Sequence, residues 1–434
     1  MVLSGSMARL GDLIQGRNGL VGFSVTNTGT GTSGALSATV ALPRGVSFVS
    51  VQGAAVGLPD GPRALHPRLY AAGAPLSTWV CAAADGGAIC AHPALGPGEQ
   101  TTVYLQVEAA DHSQGNTPVS VTVTADGLAP VTLHGDRGVQ RDGLSARFAG
   151  QGSLSMTQVG NTLVTCPIVL RGCADAQNRI GTKLDNNDWN MTWYDADGDP
   201  ATVSSSAVNL TVPEGATVRW AGLYWSGSWD GTTDPSVLKL RGPGAASYTA
   251  VNAAHLVEMK ANPKVYQAFA DVTAQVRGAG GGVWWGADPT ATLGGNRYAG
   301  WAMVVVFDDP AHPDATVTVF DGLTSVQPGH LQVTTIAGVP GAATTLGSVL
   351  WESDADLVGD SMDLNGTSLI PDGGAQDPNN VADSSAVGAI GPPLTFGTTV
   401  GTYHVTFPST GVPVVTAHSS NEAYYLGVLT VSSG

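Results

Sequence analysis

The chain has 434 residues, with 58 Gly, 26 Pro and only 12% charged residues, and its hydrophobic content is 43%. That content argues against disorder, and the length suits two or three domains. The formal charge of −16 sets the chain against phosphate backbones, so nucleic-acid binding is not its expected business.

The Gly, Pro, Thr and Val bias favours short strands and many turns over helices. Lysine is limited to Lys183, Lys239, Lys260 and Lys264. The acid is mostly aspartate. It suits a soluble secreted protein and a hard cation such as Ca²⁺, although solvated loop carboxylates account for most of it. The start, MVLSGSMARLGDL, has neither a basic segment nor a long apolar run, so it does not read as a signal peptide. Met1 to Ser6 read as residues added ahead of the natural protein, with secretion and anchoring parts expected outside this sequence. No stretch approaches about 18 apolar residues, so no spanning helix is expected.

The first module is expected over residues 8–138. Val21, Phe23 and Val25 alternate on one side, and a Thr/Gly turn follows. Leu36, Ala38, Val40 and Leu42 continue the alternation. After the Pro43-Arg44-Gly45 turn come Val46, Phe48 and Val51. Cys81 and Cys90 flank Asp85-Gly86-Gly87, which predicts a hairpin stapled by a disulfide. Val103, Leu105 and Val107 form a further strand, and Val119, Val121 and Val123 a last one. This period of two at regular spacing predicts a β-sandwich.

The run VTNTGTGTSGALSATVALPRGVSFVSV, the WVC…C hairpin and LGPGEQTTVYLQV resemble the Ig-like repeats of bacterial surface proteins. They are similar to CARDB-type cell-adhesion modules and related repeats of unknown function. The resemblance covers about residues 10–135 and implies a spacer role. High-GC Gram-positive bacteria fit the Gly/Ala/Val bias and the scarce lysine.

The second unit is expected over residues 144–434, as one larger β-rich domain or two packed sheets or sub-domains. Cys166 and Cys173 bracket CPIVLRGC and predict a second local disulfide, which implies an oxidising compartment. Strands are expected over 207–212, 216–225, 300–307, 316–320, 331–336, 403–407 and 424–431. The run GWAMVVVF reads as a strand buried on both faces. KVYQAFADVTAQVR, residues 264–277, is expected to hold a short helix or helical turn, with Tyr266, Phe269, Val272 and Val276 as its apolar face. The stretches ATVRWAGLYWSG, FADVTAQVRGAGGG, YAGWAMVVVFDDP and GDSMDLNGTSL resemble an uncharacterised β-rich domain of secreted bacterial surface proteins, over about residues 155–430. The resemblance implies location and architecture, and no reaction.

Candidate chemistry is sparse. Asp195, Asp197 and Asp199 stand at alternate positions around Gly198, a spacing that lets carboxylates converge on one cation such as Ca²⁺. Asp185, Asn187 and Asp188 lie upstream as further oxygen donors. Pro200 and the absence of a following glutamate rule out an EF-hand, and an ordinary Asp/Gly turn explains the same residues. Asp354, Asp356, Asp360 and Asp363 form a second acidic stretch. Trp229, Trp284 and Trp285 lie in Gly-rich surroundings and are candidate platforms for a sugar ring, against a core role for Trp220, Trp225 and Trp301. Lys239 is the candidate for a Lys–Asn isopeptide bond, against an ordinary strand lysine. No G-x-S-x-G, H-E-x-x-H or G-x-x-x-x-G-K-[ST] motif occurs. His255 and Glu258 are the one close His–acid pair of note, and a surface contact explains them. The expectation is therefore all-β and non-enzymatic: an adhesin-like or stalk structural protein of the cell surface. Its partners would be a surface glycan, a protein, or copies of itself. The alternatives are a carbohydrate-binding module and a self-assembling fibre subunit.

Overall fold

The structure is a computed structural model, and it describes residues 2–52, 78–113, 115, 117–135, 138–260 and 263–434. It is an all-β protein: several antiparallel sheets carry it, with two short helices among the described residues, Cys173–Gln177 and Thr273–Ala279. It divides into two compact units, Met1–Gly150 with Thr335–Ala337, and Gln151–Thr334 with Gly338–Gly434. The division falls inside the long strand Leu144–Thr162.

In the smaller unit, one sheet runs in the order Leu3–Met7, Asn18–Asn27, Gln100–Ala109, Val46–Val51. The other runs Val131–His134, Ser120–Ala125, Leu36–Ala41, Gly87–His92, Val80–Ala84. Leu36–Ala41 alternates strictly between buried and exposed, and Phe23, Ala38, Val103, Leu105 and Val121 share one core. Val46, Phe48 and Val51 do not keep one parity in sequence. A bulge between Phe48 and Ser50 inserts the extra residue that brings Val51 back to the inner face. Leu3–Met7 pairs in register with Phe23–Asn27. Cys81 and Cys90 face each other across their hairpin and are joined, with Gly86 at φ 71° in the turn.

In the larger unit, nine strands form one sheet. The order is His255–Met259, Lys264–Asp271, Thr217–Trp229, Ala299–Asp308, Leu144–Thr162, Asp314–Val326, Tyr424–Ser433, Ala343–Trp351, Thr398–Thr406. Ala299–Asp308 is buried along nine of its ten residues, as its continuous apolar run requires. One of its faces sends Trp301, Met303, Val305 and Phe307 into a core shared with Val208, Leu238, Leu240 and Trp284. Those last residues belong to a five-stranded sheet: Thr249–Asn252, Val237–Arg241, Gly282–Ala287, Ser205–Leu210, Ala389–Ile390. Trp301 lies flat on Gly286, where an added Cβ would come within 2.5 Å of the ring, and its indole N–H donates to Ser206 Oγ at 2.9 Å.

The short helix expected within 264–277 is present only at its end, and Tyr266 and Phe269 are not part of it. Lys264–Asp271 is a strand, paired with Thr217–Trp229 and His255–Met259, and the helix begins only at Thr273. Tyr266 and Phe269 lie three apart, which matches a helical stripe. Gln267, Ala268 and Ala270 are buried as well, so the segment is covered on both faces and period carries no information there.

Candidate metal centre

The Asp195–Asp199 turn does gather its carboxylates, but around a protein cation. Arg241 Nη2 lies 2.7 Å from Asp197 Oδ2, and Nη1 lies 3.7 Å from Asp199 Oδ2. Tyr248 donates its hydroxyl to the same Asp197 oxygen at 2.8 Å. The Ser205 hydroxyl lies 2.7 Å from Asp195 Oδ1 and 2.8 Å from Asp197 Oδ1. The guanidinium is itself sandwiched, 4.4 Å from the Tyr248 ring centre and 4.9 Å from that of Trp285. Burial would raise Asp197. The hydrogen bonds from Tyr248 and Ser205, and then Arg241, outweigh it and hold the carboxyl below its usual range. Where a Ca²⁺ ion was expected among Asp195, Asp197 and Asp199, the structure puts the Arg241 guanidinium beside Asp197 and Asp199 and the Ser205 hydroxyl beside Asp195. The tell was a lone arginine in the strand-like run VLKLRG, whose partner sequence does not reveal.

The tryptophan expectations change as well. Trp229 is 7% exposed and Trp284 2%, and both indole N–H groups donate to backbone carbonyls, of Thr233 and Gly280. Neither offers a ring face to a sugar. Trp285 is half-buried under Arg241. Lys239 donates to Asp288 Oδ2 at 2.7 Å and to the Ala201 carbonyl at 2.8 Å. Its partner is a carboxylate rather than an asparagine, and the pair is part-exposed, so it is an ordinary ion pair.

Asp185 and Asp188 do not join that turn. They meet Asp356, and one oxygen from each lies within 4.8 Å of the others. The Asp188 N–H donates to Asp185 Oδ1 at 2.8 Å, and the Leu184 N–H to Asp356 Oδ2 at 3.3 Å. Asp188 and Asp356 are exposed. Burial and then the Asp185 charge raise Asp188, with Lys183 opposing.

A second group lies deeper. Glu352, Asp354 and Glu422 bring one carboxylate oxygen each within 4.8 Å of one another. Glu352 leaves the end of the strand Ala343–Trp351 at φ 57°, a left-handed conformation that a glutamate adopts rarely. Asp354 is 0% exposed, and its Oδ1 accepts the Asn186 N–H at 3.2 Å. Asp360 opens the strand Asp360–Leu364 and is also 0% exposed, on the Glu422 side of the group. Glu422 stands in the turn that leads into Tyr424–Ser433. Among the described residues, none of the ion pairs involves these four carboxyls. Their strongest electrostatic neighbours are one another. Burial pushes Asp354 up to about 7 and Asp360 up to about 6. Burial and then the charge of Asp354 push Glu352 and Glu422 well upward.

Hydrogen bonding leaves the group incomplete. Asp360 leans on Ser419 and Glu422, Asp354 on Glu422, and Glu352 on the Asn186 amide, all at the margin of hydrogen-bond geometry. Asn186 Oδ1 and Asn380 Oδ1 are buried with no donor at all. Buried polar atoms are almost always satisfied, so these orphans call for a proton, a water or an ion. Sequence reading found Asp354, Asp356 and Asp360. It missed Glu352, Glu422, Asn186 and Asn380. Asp363, expected with them, pairs instead with His418 at 2.8 Å. The donors are all oxygen, which suits a hard cation such as Ca²⁺ and not a thiolate-seeking metal.

No protein-family model matches the chain, and no curated protein matches it. Among solved structures, it is similar to Escherichia coli alpha-2-macroglobulin activated by porcine elastase, at 9% identity and TM-score 0.23, covering 96% of this chain and 53% of that one. Native alpha-2-macroglobulin from Escherichia coli, from domain MG7 to the C-terminus, aligns at 8% identity and TM-score 0.20, covering 100% and 98%. An inactive mutant of the GH20 exo-β-N-acetylglucosaminidase of Vibrio harveyi aligns at 10% identity and TM-score 0.17, covering 66% of this chain and 40% of that one. The chain thus spans about half or less of two of these relatives. Scores this low carry no argument about activity.

Proposed function

We propose that the chain is a non-enzymatic, extracellular structural protein of the adhesin or stalk kind. In this reading the smaller unit serves as an Ig-like spacer and the larger unit makes the contact. Both cysteine pairs are closed and no cysteine is free, which supports an oxidising compartment. No helix among the described residues is long and apolar enough to cross a membrane. The resemblance of the first module's sequence to Ig-like repeats of bacterial surface proteins, though no family model matches, is consistent with the reading.

The observation that carries the contact role is the loop closed by Cys166 and Cys173. Its tip presents Ile168, Val169 and Leu170 at 78, 88 and 49% exposure. Three consecutive large apolar side chains, held out on a covalently closed loop, are what a partner surface would bury. The test is adhesion of beads coated with the full chain to immobilised matrix proteins, glycans and the chain itself. Binding to one of them, reduced at least tenfold by Val169→Asp with the melting temperature unchanged, is the expected result. Binding that Val169→Asp leaves intact would remove the loop from the contact, and no binding to any panel member would count against an adhesive role.

A further inference from the structure

We propose that the larger unit holds a structural calcium ion between Glu352, Asp354, Asp360 and Glu422, with the side-chain oxygens of Asn186 and Asn380 as neutral ligands. Three carboxylate oxygens already converge within 4.8 Å. The independent observation is the set of orphans around them. Asn186 is 0% exposed and Asn380 2% exposed, yet each carries a side-chain oxygen that no protein donor satisfies. Asn186 is fixed against the group by its own N–H, which donates to Asp354 Oδ1. Asn380 is fixed by its Nδ2, which donates to the Ala355 carbonyl at 3.1 Å and leaves its oxygen free.

Chemistry selects the ion. Every donor is a carboxylate or amide oxygen, and the group has enough of them for the six to eight ligands that Ca²⁺ takes. Mg²⁺ would keep several waters and fit a smaller set. With all four carboxyls ionised, the group carries −4, and one dication halves that to −2. The ion would join segments that are far apart in sequence: the loop at Asn186, the end of Ala343–Trp351, the start of Asp360–Leu364 and the turn before Tyr424–Ser433. It would thus clamp one end of the nine-stranded sheet.

The rival explanation is that protons, rather than a cation, hold the carboxyls together. Two measurements on the full chain separate them. Terbium replaces calcium and is excited by nearby aromatic rings, and Trp351 is adjacent in sequence to Glu352. Saturable terbium emission that calcium displaces is expected. So is a rise of about 5 °C or more in the larger unit's melting temperature in millimolar CaCl₂ over EDTA. Glu422→Gln and Asp360→Asn keep the shape and remove a charge. Each should lose at least tenfold in terbium affinity, and Asp360→Asn should also melt higher than wild type in EDTA at pH 7 and above, because one buried charge is gone. Asp188→Asn, in the exposed group, should leave both readouts unchanged. The proposal fails if terbium and calcium have no effect on wild type. It also fails if Asp188→Asn, and not the buried variants, abolishes binding. Should Glu422→Gln fail to fold, Asp360→Asn carries both readouts.

Discussion

At the scale of single residues, Asp197 shows how the chain spends its acid. Its carboxylate is bound by a guanidinium, a phenol and a serine hydroxyl. Because the folded carboxyl sits below its ordinary value, its stabilisation is complete above the unfolded value of about 4 and is lost as pH falls through the folded value. Asp197→Asn should therefore destabilise the larger unit by about 2 kcal/mol at pH 7, leaving Arg241 only the more distant Asp199 as a counter-charge. Urea melts repeated downward should show the gap between variant and wild type closing below about pH 4. A gap that stays constant from pH 7 to pH 3 would mean that Asp197 is not ionised in the folded chain. The sequence exposed the carboxylates of this turn through their spacing around Gly198. It hid their partner, because Arg241 comes from a strand more than forty positions away and nothing local marks it.

At the scale of elements, the nine-stranded sheet curls so that its two halves face each other, and Gln267 shows it. This buried side chain lies on the second strand in sheet order. It donates to the Gly427 carbonyl at 3.0 Å and to the Gly322 carbonyl, and it accepts the Trp351 indole N–H at 2.6 Å. Those partners stand on the sixth, seventh and eighth strands. A Cβ on Gly427 would fall within 2.1 Å of Gln267 Oε1, so glycine at that strand interior makes room for the bridge. Gln267→Leu would leave two carbonyls and an indole N–H buried and unpaired. The expected cost is about 3 kcal/mol, read as a lower urea midpoint with an unchanged slope. A loss below about 0.5 kcal/mol would show that water replaces the amide. Strand identity was legible where one face meets solvent, as in Leu36–Ala41. It was misread at Lys264–Asp271, because a strand covered on both sides has no alternation to read.

At the scale of the whole chain, the acidic group explains both what sequence reading reached and where it stopped. Asp354 and Asp360 drew notice as an acidic run, but Glu422 is a single glutamate between Asn421 and Ala423. Only the pairing of Asp360 with Ser419, at the end of the strand Val414–Ser419 and three residues before Glu422, gives it company. The two disulfides, by contrast, were legible because each closes within ten residues and needs only a local turn. Each lies wholly within one compact unit: Cys81–Cys90 in the smaller, Cys166–Cys173 in the larger. A chain of two compact units, each with its own core, need not melt in one step. Calorimetry of the full chain should therefore show two transitions. Replacing Cys81 and Cys90 together by serine should lower one of them, and replacing Cys166 and Cys173 the other. Loop closure sets an upper limit of about 2–3 kcal/mol for each. The Cys81–Cys90 effect should fall short of that limit, because the hairpin turn already restrains the same residues. If both double variants lowered one shared transition equally, the units would unfold as a single cooperative body, and the separation of their cores would have no thermodynamic counterpart.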